Sequence, residues 1–154
     1  MDPMQVSARG DYAVRAALTL AAAYPGTVSA QALAEAQNLP YKFLEAILAD
    51  LRRGGLVRSQ RGAEGGYRLT SPPAEITVGD VLRTVEGPLA GVRGSRPEEI
   101  EYDGAAEHLR DVWIAVRAAV RNVVDEISLE DVVRGRLPAH VRRLVAVPDA
   151  WLPR

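Results

Sequence analysis

The chain has 154 residues, a formal net charge of −1 and a hydrophobic content of 47%, which suits one domain, or one small domain with a dimerisation arm. No apolar run reaches the roughly 18 residues that a transmembrane helix needs, and the N-terminus lacks the basic and apolar regions of a signal peptide, so we expect no membrane partner and a cytoplasmic location. The sequence contains no cysteine, which excludes disulfides and zinc–thiolate sites.

Two helices are predicted near the start of the chain. Ser7 is a good N-cap for the first, whose apolar residues recur at three- and four-residue spacing until Tyr24-Pro25-Gly26 ends it. Ser29 caps a short second helix over residues 30–36. The segment Gln37-Asn38-Leu39-Pro40 then forms a turn, and its proline suits the start of a third helix.

The third predicted helix runs from Tyr41 to about Arg53. A short helix, a four-residue turn and a longer helix make a helix-turn-helix, whose second helix reads base edges in the major groove from its first residues. Lys42 can contact a phosphate or a guanine, and Glu45 can accept a hydrogen bond from a cytosine amino group. These candidates, with Tyr41, can equally be exposed polar positions of an amphipathic helix. The apolar stripe expected to be buried is Phe43, Leu44, Ile47, Leu48 and Leu51.

Two short strands, over residues 56–59 and Gly66–Leu69, are predicted next. The loop between them carries Arg61 and is built on Gly62, Gly65 and Gly66. Two strands closed by a glycine loop make a wing, which after a helix-turn-helix grips duplex DNA. Arg61 is the arginine best placed to enter a minor groove, where narrow A·T tracts concentrate negative potential; its alternative is a solvated loop arginine.

The basic residues are distributed unevenly. Residues 40–70 hold six basic and three acidic residues, a net charge of +3, whereas the segment after Pro73 holds 11 basic and 14 acidic residues, a net charge of −3. A localised basic patch is expected of a DNA-binding head, although an unevenly charged solvated surface explains it equally well. The candidate phosphate contacts are Arg52, Arg53, Arg58 and Arg68.

A long amphipathic helix is predicted over residues 105–127, about 34 Å in length. Its apolar face is too long for a small head to cover, so we expect it to pair with the same helix of a second subunit, although packing within its own chain is the alternative. Ser128 begins a short further helix, and the tail is expected to be loosely ordered beyond Leu144. The candidate interface residues are Leu109, Val112, Trp113, Val116, Val120, Val123, Val124 and Ile127.

These patterns predict a mainly α fold with a small β-wing, in which a winged helix-turn-helix head precedes a long dimerisation helix. The sequence also resembles the Rrf2 family of bacterial winged-helix transcription regulators, densely over residues 5–87 and more weakly through Trp113 and residues 128–133. The motifs that carry the resemblance are Asp11-Tyr12-Ala13, Phe43-Leu44-Glu45, Gly55-Leu56-Val57, Ser59, Arg61-Gly62 and Gly65-Gly66-Tyr67.

The resemblance implies a DNA-binding domain at residues 4–87, a sensor loop at 88–108, a dimerisation helix with a short following helix at 105–134, and a tail at 135–154. It further implies a homodimer that binds a pseudo-palindromic operator in double-stranded DNA and usually represses. Residues 40–50 then form the recognition helix, and Arg61 matches the family's minor-groove arginine. The remaining residues that the resemblance adds to the DNA-binding set are Arg9, Tyr12, Ser59, Gly65, Gly66 and Tyr67.

The sharpest departure from the family lies in residues 88–108, where many members carry three cysteines that hold an iron–sulfur cluster. Soft thiolates select such clusters, and this segment offers only carboxylates and His108. We therefore expect no cysteine-held cluster, no metal site and no cofactor, although Glu98, Glu99, Glu101, Asp103, Glu107 and His108 could form a hard-metal site instead of a solvated acidic loop.

No catalytic triad or phosphate-binding loop is recognisable, so we expect no enzyme. Two alternatives to the DNA-binding regulator stay open. One is a protein-interaction module that acts through a partner enzyme. The other is a sensor with a non-cysteine metal or small-molecule site, and an unidentified effector, small molecule or protein, is compatible with the regulator itself.

Overall fold

The computed structural model describes residues 5–154, which form a mainly helical fold with one two-stranded antiparallel sheet. This confirms the predicted fold class. No helix among these residues is long and apolar enough to cross a membrane. The elements are α1 (Ala8–Ala23), α2 (Ala30–Gln37), α3 (Tyr41–Arg53), β1 (Val57–Gln60), β2 (Gly66–Leu69), α4 (Val78–Glu86), α5 (Leu109–Val124), α6 (Leu129–Arg134) and α7 (Ala139–Ala146).

Side-chain caps fix where four of the helices begin. Ser7 Oγ accepts a hydrogen bond from the Gly10 N–H at 3.0 Å, and Ser29 caps α2 in the same way, as predicted. Thr77 and Ser128 each begin a helix with a reciprocal capping box, the latter confirming the predicted start of α6. Each such cap stabilises its helix by about 1 kcal/mol.

Helix α1 lies at the centre of the head and packs against α2, α3, α4 and α6. Its buried face is made mostly of alanines, including Ala13, Ala16 and Ala17, with Leu20 as the large residue. Small side chains let the neighbouring helix backbones approach closely. The core is completed by Leu33 of α2, by Leu44, Ile47, Leu48 and Leu51 of α3, and by Val57 and Leu69 of the wing strands.

The end of α5 is attached firmly to the head. The segment after α5 pairs with the segment before α4, since the Val78 N–H donates to the Ile127 carbonyl at 3.0 Å. Arg83 of α4 donates two hydrogen bonds of 2.6 Å to the carboxylate of Asp125, the C-cap of α5. Gly79 leaves room for that carboxylate, because a Cβ there would lie 2.0 Å from Asp125 Oδ1.

The structure corrects two sequence predictions in the C-terminal half. Helix α5 has 16 residues, about 24 Å, because a separate 3-10 turn at Gly104–Ala106 precedes it and His108 leaves the helical conformation. The tail is not loosely ordered beyond Leu144. Helix α7 continues to Ala146, and a 3-10 turn at Pro148–Trp151 follows, in which the Trp151 Nε1–H donates to the Val145 carbonyl at 2.6 Å.

We predict that Asp125→Asn lowers the free energy of unfolding at neutral pH by about 1–2 kcal/mol. This value is reduced for solvent screening, because the Arg83–Asp125 pair is partly exposed. The hydrogen bonds from Arg83 hold the pKa of Asp125 below its ordinary value of 3.8. The stability that Asp125 contributes is therefore fully present above that value and is lost as the pH falls through the lower folded-state pKa.

Denaturant unfolding of wild type and variant at matched concentration, from about pH 7 to about pH 3, checks this prediction. The difference between them should persist down to the ordinary aspartate range and then shrink. Asp149→Asn is the control, because Asp149 pairs with Arg154 in an exposed position. A difference that is independent of pH, or equal to that of the control, would contradict the assignment.

Candidate DNA-binding surface

The first turn of α3 presents a polar surface beside a buried one. Tyr41, Lys42 and Glu45 are exposed, as is Ala46, whereas Leu44 is fully buried. Pro40 precedes the helix without a side-chain cap, so that the first N–H groups of α3 are not engaged by a capping side chain. The structure thus places the three predicted α3 candidates together on the outer face.

Phe43 is the one member of the predicted buried stripe that the structure places elsewhere. Phe43 is 48% exposed, and it lies beside the exposed α3 candidates. The physical reason is helical geometry, because Leu44, Ile47, Leu48 and Leu51 already form a complete buried face at three- and four-residue spacing. Phe43 lies about 100° away from Leu44 around the helix.

Tyr12 of α1 supports Phe43 from the side. The two rings meet edge to face, with centroids 5.9 Å apart and an interplanar angle of 88°. The Arg15 guanidinium carbon lies 4.9 Å from the centre of the Tyr12 ring. Arg15 is itself held, since its Nη1 donates to the Gln37 carbonyl at 3.1 Å. Tyr12 therefore connects α1 to the start of α3.

The two wing strands pair Val57 with Leu69 on the buried side and Arg58 with Arg68 on the outer side. Two arginines thus lie directly opposite each other, an arrangement that is unfavourable unless an anion joins them. Among residues 5–154, no carboxylate lies within ion-pair distance of either arginine. The outer face of the wing is therefore a concentrated positive surface.

A third segment, at Val28, completes the wing. The Val28 and Tyr67 backbones exchange hydrogen bonds of 2.9 and 2.8 Å. Gly66 has φ +150°, and a Cβ on it would lie 2.5 Å from the Val28 carbonyl oxygen. Gly65 is equally confined, because a Cβ on it would lie 2.4 Å from the Gln60 carbonyl oxygen. Both glycines are therefore needed for the wing backbone, and Thr27 adds a hydrogen bond to the Glu64 carbonyl.

Arg61 lies at the tip of the wing, directly after β1, and is exposed. The turn that follows is closed by the Gly65 N–H, which donates to the Gly62 carbonyl at 2.9 Å. Ser59 and Tyr67, two further residues of the predicted DNA-binding set, lie opposite each other in the pairing of the two strands. Arg61 therefore extends from a braced loop.

Asp50 of α3 binds two arginines of the predicted DNA-binding set. The carboxylate forms ion pairs with Arg9 of α1 and with Arg53 of α3. Arg9 also approaches the Val85 carbonyl at 3.4 Å, so it joins α1, α3 and α4. Arg52, by contrast, is exposed at the end of α3. Arg9 is thus engaged within the head.

The predicted dimerisation face of α5 is uncovered within one chain. None of the 16 residues of α5 is buried, and Val112 is 51% exposed. Trp113 is partly covered, and its Nε1–H donates to the Tyr102 hydroxyl at 3.1 Å. Ile127 lies outside α5 and is only 8% exposed, because it packs within its own chain. The remaining interface candidates are half-buried valines and Leu109.

A family model described as "Rrf2: Iron-dependent Transcriptional regulator" matches residues 6–135. The chain belongs to the Rrf2 family. It is 49% identical over 142 residues to the putative HTH-type transcriptional regulator Rv1287 of Mycobacterium tuberculosis, covering 92% of this chain and 88% of that protein. Relatives of this chain, Rv1287 among them, are named as transcriptional regulators and not as enzymes. This confirms the resemblance to the Rrf2 family and the prediction that the protein is not an enzyme.

Two solved structures have the same fold as this chain. CymR, described as the global cysteine regulator of B. subtilis, matches with a TM-score of 0.74 and 36% identity over 86% of this chain and 98% of that chain. IscR of T. potens matches with a TM-score of 0.71 and 32% identity over 98% of this chain and 93% of that chain. The fold of these two proteins therefore extends over most of this chain.

The iron in the family's description does not fit the side chains of this Rrf2 member. The sequence has no cysteine, and no group of three or more potential ligands occurs among residues 5–154. The side chain of His108 is 88% exposed, and its Nε2 lies 3.2 Å from a carboxylate oxygen of Glu107. Glu98 binds Arg117 at 2.5 Å. The acidic loop thus offers dispersed, solvated carboxylates rather than a ligand set.

We predict that Gly66→Ala lowers the free energy of unfolding by about 1–3 kcal/mol, because alanine disfavours the positive φ and its Cβ collides with the Val28 carbonyl. Amide hydrogen exchange at Val28 and Tyr67 should accelerate. Gly91→Ala is the control, since a Cβ there makes only ordinary contact at 3.4 Å. Equal stability and equal exchange in the two variants would contradict this account of the wing.

Proposed function

We propose that this Rrf2 protein is a homodimeric repressor that binds a pseudo-palindromic operator and works without a cysteine-held cluster. The observation that carries the proposal is the wing. Arg58 and Arg68 face each other on its outer side, and Arg61 is exposed directly after β1, at the wing tip. Phosphates along a duplex supply the negative charge that residues 5–154 do not provide beside these arginines.

Each group on this surface has a DNA component that suits its chemistry. Lys42 and Glu45 enter the major groove with the start of α3, where they contact guanine or phosphate and a cytosine amino group respectively. Arg61 enters the flanking minor groove. Tyr41 accompanies Lys42 and Glu45 in the major groove. The proposed backbone-contacting set is Tyr12, Arg52, Arg58, Ser59, Tyr67 and Arg68, whereas Gly65 and Gly66 shape the wing.

Arg9 and Arg53 take a different part in the proposal. Both bind Asp50 in the free protein, but only the pair with Arg9 joins two helices, because Arg53 lies on α3 together with Asp50. Arg53, at the end of α3, is the more exposed of the two. It reaches a phosphate by giving up its ion pair with Asp50. We assign Arg9 mainly to positioning α1 against α3.

A second subunit would cover the apolar face of α5. Val112, Val116, Val120 and Val123 recur along one side of the helix, and none of them is buried within the chain. C2 pairing of these faces is the commonest oligomer symmetry. It would present two heads to half-sites about 34 Å apart, one turn of the duplex. Occupying such a site blocks access to the DNA, which is the simplest route to repression.

We predict that Arg61→Ala weakens operator binding about tenfold to a hundredfold at matched salt, because each half-site loses a minor-groove arginine. The operator is first selected from a random DNA pool with wild-type protein, and affinities are then measured by fluorescence anisotropy. Arg136→Ala is the matched control, an exposed arginine beyond α6. Unchanged affinity for Arg61→Ala would refute the role of the wing tip.

We predict that Val112→Asp raises the dimer dissociation constant roughly a hundredfold or more, since it places an unpaired charge in an apolar interface. Sedimentation velocity over a range of concentrations measures this change. Ala118→Asp is the control, because Ala118 is exposed on the opposite side of α5. If both variants stay dimeric, or if wild type is a monomer, α5 is not the interface.

A further inference from the structure

We propose that Phe43 recognises thymine in the operator by packing its ring against the C5-methyl group in the major groove, with the methyl of Ala46 beside it. This inference rests on the proposed DNA-binding function and adds a base feature that it reads. The other α3 candidates, Lys42 and Glu45, are charged and read polar edges. Phe43 has no hydrogen-bonding group, so it can read only an apolar feature.

Phe43 is a large apolar side chain in an exposed position at the start of α3. It is the third residue of α3 and is 48% exposed, although α3 has a complete buried face without it. It follows the exposed Lys42 in the first turn of α3, the part of a recognition helix that approaches base edges. An apolar ring in this position is costly in water and is stabilised when DNA covers it.

The ring is also held in place before any DNA arrives. Tyr12 contacts it edge to face at 5.9 Å, and Arg15 lies over Tyr12. Arg15 is anchored in turn by Gln37 and by Asp11, whose carboxylate lies 3.1 Å from Arg15 Nε. Little side-chain entropy is therefore lost when the exposed part of the ring meets a ligand.

The major groove offers one apolar group on its base edges, the thymine methyl. Ala46 follows Phe43 by three residues, so its methyl lies on the same side of the helix and is exposed. Together the ring and this methyl form an apolar surface that suits a methyl group. Cytosine, which carries a hydrogen at the same position, leaves the surface uncovered.

The test removes the methyl group from the DNA and leaves the protein intact. In the operator selected by wild-type protein, each thymine is replaced in turn by deoxyuridine, which keeps the base pair and lacks only the methyl. We expect one or two positions in each half-site at which the substitution weakens binding about fourfold per methyl. Substitution in both half-sites should multiply the losses.

Phe43→Ala should weaken binding to the thymine operator and should abolish the difference between thymine and deoxyuridine at those positions. Tyr41→Ala is the matched comparison, an exposed aromatic residue two positions earlier; it should weaken binding but keep the sensitivity to deoxyuridine. Phe43 is the single phenylalanine of the chain. Protein labelled with 4-fluorophenylalanine should therefore show one fluorine resonance that shifts between the two operators.

Two outcomes would overturn the inference, and they differ. If wild type selects an operator but binds it equally well after every deoxyuridine substitution, the thymine contact is absent and the DNA-binding function stands. The same conclusion follows if Phe43→Ala retains the full deoxyuridine effect. If wild type selects no operator at all, the proposed function fails and this inference fails with it.

Discussion

The close packing of α1 against its neighbours is the constraint on which the rest of the head depends. The alanine face of α1 lets α2, α3, α4 and α6 approach one central helix. The same helix carries Tyr12 and Arg9 on its outer side. Tyr12 supports Phe43, and Arg9 binds Asp50. A larger side chain at Ala13 or Ala16 would therefore displace the recognition helix as well as the core, since packed interiors transmit such shifts.

The wing shows how a binding surface differs from a surface arranged for stability alone. Facing arginines across two strands, and glycines at positions where a Cβ would meet the backbone, both weaken an isolated hairpin. The Val28 backbone offsets part of that weakness, because it adds an isolated antiparallel bridge to Tyr67 beside the two-stranded sheet. Positive charge is thus held on a rigid support, which is the condition under which electrostatic attraction also gives a defined orientation.

Much of the head could be predicted from the sequence, because its signals are local. Ser7, Ser29 and Ser128 are caps whose hydrogen-bond partners lie three residues away. The glycines of the wing loop indicate in the sequence where the chain turns between the two strands. What could not be predicted depended on contacts between distant segments. Apolar periodicity alone placed Phe43 in the core, the pairing of Asp50 with Arg9 joins separate helices, and Val28 enters the wing from 39 positions before Tyr67. The roles of individual residues on DNA depend on a partner that the chain does not contain.

The junction of Arg83, Asp125 and Gly79 has a consequence for the geometry of any operator. Because this junction fixes α4 to the end of α5, the head cannot swivel freely on the helix that would join it to its partner. In the proposed dimer the angle between the two heads is then set by how the α5 helices cross. One base pair inserted between the half-sites rotates one half-site relative to the other by about 35° around the duplex. A dimer with fixed heads cannot follow this rotation, so it distinguishes operators by the spacing of their half-sites as well as by their sequence.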